Sequence, residues 1–140
     1  MQLFLKAISM LLALIMSYFI VGNPDGFQPH IVEKVTTETK QITILGENKT
    51  GNKIGDPRIV RIEQLIDKKW VFKGEPIDIN SDYSTYNPLS TFKYTLQFTE
   101  IDAENNTLPV GEYRIVIAYN LITPKGNKDC FSYAYFTITE

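Results

Sequence analysis

The stretch Leu108–Asn120, LPVGEYRIVIAYN, constrains the fold more than any other part of this chain. It opens on Pro109 and Gly111, residues that punctuate turns. It then places Tyr113, Ile115, Ile117 and Tyr119 on one face of a strand, because strand side chains alternate with a period of two. Arg114 falls on the other face, toward water. A strand with one apolar face needs a second layer to bury it. Phe131–Thr139 reads as its hairpin partner, and the upstream segments supply strands to pair with it or pack on it.

Thr91–Thr99 (TFKYTLQFT) has the cleanest alternation, with Phe92, Tyr94, Leu96 and Phe98 on one side. Lys40–Leu45 turns Ile42 and Ile44 inward. Arg58–Ile66 reads as a strand with Val60 and Ile62 inward. Asp67-Lys68-Lys69 then turns the chain into a return strand at Trp70-Val71-Phe72. Ile31–Thr37 is a poorer first strand that suits an edge. Glu47–Pro57 and Thr123–Asp129 read as polar loops. Gly74–Ser90 is the longest irregular stretch, with room for one short strand near Ile77–Ile79. No segment beyond the N-terminus sustains a 3.6-residue period. About seven short strands separated by Gly, Pro, Asn and Asp clusters predict an all-β fold, an antiparallel sandwich over residues 31–140.

Residues 1–22 have a different character. Lys6 precedes fifteen residues, Ala7–Val21, that are apolar apart from Ser9, Ser17 and Tyr18. As a helix they would cover about 22 Å, short of the roughly 30 Å hydrocarbon core. That length fits a signal peptide, with Gly22 before the cut; counted from Leu3, the segment also reaches the length of an uncleaved anchor. Residues 23–30, rich in Pro and Gly, read as a linker. Beyond residue 22 the chain carries 13 basic and 16 acidic side chains. Nucleic acid is a poor partner for that balance, and a membrane is a partner only if the N-terminal segment stays attached.

Two features narrow the sandwich to an immunoglobulin-like one. Trp70, the only Trp, stands early in a middle strand. Gly111-x-Tyr113 heads the penultimate strand, where a Tyr hydroxyl can bond back to nearby backbone. Ile42 or Ile44, with Ile115, would fill the places of an inter-sheet Cys pair. On ITILGENKT, KKW and LPVGEYRIV, the chain resembles a bacterial immunoglobulin-like domain of small secreted or lipid-anchored proteins. The resemblance covers roughly residues 40–140. It implies a fold and an exterior location, and no catalysis. The Tyr-rich middle loop and the lack of a lipidation Cys depart from the pattern.

Little here carries chemistry. Asp78, Asn80 and Asp82 alternate like the start of a calcium loop, but Tyr83 and Leu89 occupy the places that need Gly and Glu. This is a polar loop or, at most, a looser calcium site. Tyr83 and Tyr86, beside Phe92, either face a partner or fold back as a satellite core. The loop Asp78–Asn87 is the first candidate for a binding surface, with Thr123–Asp129 as a helper. His30 is the only His and Cys130 the only Cys, too few for a closed zinc site or a triad with a positioned nucleophile. Cys130 is either buried or free to link two chains. Glu100, Asp102 and Glu104 read as a solvated acidic turn. Asn48 and Asn105 each sit in an N-x-[ST] acceptor pattern. The sequence implies no catalytic residue, metal or cofactor. It reads as an exported, non-catalytic binding module for a protein or a cell-surface glycan. The alternative is a protease inhibitor that presents a loop around Tyr83–Pro88, with a small hydrolase third.

Overall fold

In a computed structural model of the 140-residue chain, residues 1–10, 24–77, 84–103 and 108–140 are described below. Residues 2–10 are helical and exposed. Among the described residues, no helix is long and apolar enough to cross a membrane. Asp78, Asn80, Asp82, Tyr83, Glu104 and Asn105 lie outside the described residues, as do most of the apolar N-terminal segment and the expected cut after Gly22.

Ten strands follow among the described residues: β1 (His30–Ile31), β2 (Val35–Thr36), β3 (Gln41–Glu47), β4 (Lys53–Ile66), β5 (Lys69–Pro76), β6 (Thr85–Tyr86), β7 (Thr91–Gln97), β8 (Ile101–Ala103), β9 (Gly111–Thr123) and β10 (Gly126–Thr139). They form two sheets in a sandwich-like arrangement. The smaller runs β1-β3-β7 and the larger β2-β10-β9-β4-β5-β8, with β6 also paired to β4. β9 presents Tyr113, Ile115, Ile117, Tyr119 and Leu121 to the core, against Ile42, Ile44, Phe92 and Leu96 of the smaller sheet. The alternation over Tyr113–Tyr119 reads correctly because a regular strand keeps its period of two.

The expected first strand, Ile31–Thr37, is two short strands. β1 pairs antiparallel with β3, and β2 pairs parallel with β10, so the chain changes sheets between them and the sandwich is not wholly antiparallel. Glu33 sits at the crossing, where its carboxylate accepts the Thr43 backbone N–H at 2.7 Å. Residues 23–30 do not behave as a free linker either. Phe27 is fully buried, and its ring packs edge-on against both Phe92 (5.7 Å between centroids) and Tyr119 (5.0 Å). The Ser132 hydroxyl donates to its carbonyl.

β4 is longer than its sequence pattern. Lys53–Pro57 was expected as loop, yet Ile54 and Gly55 pair with β9 and β6. Pro57 is tolerated because the register shifts between Gly55 and Arg58, with Asp56 at φ 49°; a bulge is where a strand can accept Pro. A second shift lies between Ile59 and Arg61. It turns Ile59 and Ile62 inward and leaves Val60 exposed, the reverse of the expectation for Val60. The turn into β5 has Asp67 and Lys68 at φ 49° and 65°, the geometry of a two-residue hairpin loop. Thr123–Asp129 is likewise mostly strand, closed by a tight turn in which the Thr123 hydroxyl donates to the Gly126 carbonyl at 2.7 Å.

Candidate functional site

The two loops expected to bind are tied to the fold where they are described. Tyr86 is half-buried, and its ring meets Phe92 edge-on at 5.5 Å. Its carbonyl accepts the side-chain amide of Asn48 at 3.0 Å. Asn48 and Thr50 are themselves buried. The Asn48 oxygen accepts from the Thr50 backbone and hydroxyl, and its nitrogen also donates to the Asn52 carbonyl. This N-x-T sequence is a structural knot whose amide is closed to glycosylation in the folded chain. Cys130 is buried, and burial pushes its thiol above the ordinary value, although Lys128 and the Tyr119 hydroxyl pull the other way. His30 is exposed on β1.

Tyr113 donates its hydroxyl to the Pro109 carbonyl, joining the head of β9 to the segment before it. Gly111 lies between them against the Gln64 side chain; a Cβ built there would sit 2.5 Å from the Gln64 nitrogen. Burial pushes the Tyr113 phenol up to about 12. These contacts tie the head of β9 to the segment before it and to Gln64 of β4.

Trp70 stands early in β5, as the sequence suggests, but outside the core. It is half-buried on the outer face of the larger sheet, away from the core. Arg114 is beside it rather than free in water. Its guanidinium lies over the Trp70 ring (4.4 Å to the centroid) and over the Tyr133 ring (4.3 Å). Its Nε donates to Glu63 Oε1 at 2.7 Å, and Arg61 meets the other Glu63 oxygen at 3.2 Å. Glu63 is nearly inaccessible, so this carboxylate is buried only because two guanidiniums balance it.

The strand register explains how residues so distant in sequence meet. Glu63, Arg114 and Tyr135 are cross-strand neighbours on β4, β9 and β10. The next rows are Arg61–Val116–Tyr133 and Arg58–Ala118–Phe131. On β10 the outward positions are Phe131, Tyr133 and Tyr135, and the inward ones Cys130, Ser132 and Ala134. Phe131 and Tyr135 remain 59% and 60% exposed, and Phe72 on β5 53%. Sequence reading took β10 for an ordinary strand. The overlooked signal is that its larger rings alternate with small residues, so the bulky side of the strand is the outer one.

The resulting surface is a fixed aromatic and guanidinium face, and it has no nucleophile paired with a base. Among the described residues, no three His, Cys, Asp or Glu side chains gather as metal ligands. Compared with protein-family models, curated proteins and solved structures, the chain has no match, so its function has to be read from this surface itself.

Proposed function

We propose that this chain is an exported, non-catalytic interaction module with an immunoglobulin-like sandwich, and that it binds a protein through the outer face of its larger sheet. The observation that carries the reading is the cluster of four exposed rings, Phe72, Phe131, Tyr133 and Tyr135, around the Arg114–Glu63 pair. At about 200 Å² per ring, their exposed parts amount to roughly 400 Å². A standard protein interface buries about 800 Å² per partner, a little over half of it apolar. The face therefore matches the apolar part of one such interface.

The geometry favours a protein over a flat sugar. Trp70 and Tyr133 each have one ring face against Arg114, whereas sugar stacking needs open ring faces. Rings held by packing lose little freedom on binding, which is what interface hot spots require. The immunoglobulin-like assignment is supported by the change of sheets between β1 and β2, the β10-β9-β4-β5 order and the Tyr113–Pro109 bond. Export is supported by the apolar segment ahead of the domain.

The test is site-specific photocrosslinking in the native host. A photoreactive residue at Tyr135 is expected to yield a discrete protein adduct, and one at Lys93 on the smaller sheet none. Equal or absent crosslinking from the two positions would overturn the reading.

A further inference from the structure

The second and third cross-strand rows of the outer face have a shape and charge of their own. Their middle residues, Val116 and Ala118 on β9, are short; Val116 is buried and Ala118 half-buried. On one side stand Arg61 and Arg58 of β4, with side chains 49% and 55% exposed. On the other stand Tyr133 and Phe131 of β10. Two strand spacings separate these walls, about 10 Å. The result is a shallow trough along β9 with a cationic wall and an aromatic wall.

Resting on the reading above, we infer that this trough binds an extended polypeptide segment in which acidic and apolar residues alternate. Two observations select that occupant. The first is charge. Arg58 lies 3.6 Å from Asp56, and Arg61 shares Glu63 with Arg114. Each guanidinium is steadied by a carboxylate on one side, and five donors per group leave others for a ligand. The remaining charged groups on this face of β9 and β10, Glu112 and Asp129, lie beyond the two rows, one past each end. Between them the trough is cationic.

The second observation is period. Like-facing side chains on an extended chain recur about every 6.8 Å, as do Phe131 and Tyr133 on their own strand. A peptide laid along β9 sends alternate side chains to opposite walls, so its carboxylates reach the arginines while its apolar residues reach the rings. Both walls are met in register over successive residue pairs.

The inference is tested by fluorescence anisotropy with the purified full chain. The probes are a labelled peptide alternating glutamate and leucine, its glutamine–leucine counterpart, and an oligogalacturonate. The glutamate–leucine peptide is expected to bind, more weakly as salt rises, and the glutamine–leucine peptide at least about tenfold more weakly. Arg58→Ala, and separately Phe131→Ala, are expected to lower the affinity by a similar factor while the unfolding midpoint holds. Equal binding of the two peptides, undiminished binding by the variants, preference for oligogalacturonate or a complete lack of peptide binding would each overturn it. The photocrosslinking result separates the two levels. A Tyr135 adduct without peptide binding defeats the trough assignment and leaves the interaction face standing; no adduct defeats both. An adduct consisting of two copies of this chain would also defeat the trough assignment.

Discussion

At the scale of single residues, two polar side chains hold more than their exposure would suggest. Tyr113 is buried, with its hydroxyl bonded to the Pro109 carbonyl. Tyr113→Phe leaves that carbonyl without its donor and is expected to cost about 1 kcal/mol or more, read as a lower urea midpoint. The same residue sets an alkaline limit. Its phenol titrates near 10 when unfolded and is pushed up to about 12 in the fold by burial. The fold therefore favours the neutral form. The contribution is complete below pH about 10 and declines as pH rises toward about 12. The Tyr113→Phe protein is expected to lose stability less steeply over that window. Asn48 closes four hydrogen bonds while almost wholly buried. Asn48→Ala takes the donor from the Tyr86 carbonyl and the acceptor from the Thr50 backbone N–H, while the Thr50 hydroxyl keeps the Asn52 carbonyl, and is expected to cost about 2–3 kcal/mol in the same assay. Sequence alone marked the Tyr113 bond, because Gly111 and Tyr113 stand at a recognisable strand head. It reads Asn48 only as part of an N-x-[ST] pattern, because its partners Asn52 and Tyr86 are brought together only by the β4–β6 pairing.

At the scale of elements, reading succeeds where a strand keeps its period and fails where a bulge shifts it. β9 and β3 are regular, so their inward residues follow from parity. β4 is bulged twice, and parity from Ile62 backward selects Val60 when the buried residue is Ile59. The two substitutions discriminate between these registers. Ile59→Ala is expected to cost about 2–4 kcal/mol through lost burial and a cavity. Val60→Ala is expected to stay within about 0.5 kcal/mol. Thermal or denaturant unfolding of the pair decides it, and equal losses would mean the second bulge is misplaced. The same irregularity bears on function. By placing Arg58 and Arg61 on the outer face while Ile59 turns inward, it builds one wall of the trough. The candidate surface was illegible for this reason: it depends on register among β4, β9 and β10, and Arg114 and Glu63 are 51 residues apart. The loop at Asp78–Asn87 stands out in the sequence because aromatic and acidic residues are conspicuous in a loop, whereas rings on a strand read as core.

At the scale of the whole molecule, Phe27 ties the question of the N-terminus to that of stability. Its ring lies between Phe92 of the smaller sheet and Tyr119 of the larger, so it bridges the two layers. The segment around it is seated as well. Lys49 donates its backbone N–H to the Gly26 carbonyl at 2.8 Å, and a Cβ on Gly26 would collide with the Lys49 carbonyl. An export signal removed after Gly22 leaves this plug in the mature chain; a cut between Phe27 and Gln28 removes it. Proteins made to begin at Asn23 and at Gln28 therefore separate the two cases. The first is expected to unfold at the midpoint of the full domain. The second is expected to lose about 3–5 kcal/mol, the cost of removing a buried Phe, and to expose Tyr119 to solvent quenching. If the chain is exported and cut, the intact mass of the product should accordingly show a first residue upstream of Phe27. If the species begins at Gln28 or later and still unfolds at the same midpoint, Phe27 does not bridge the sheets, and the sandwich closes without it.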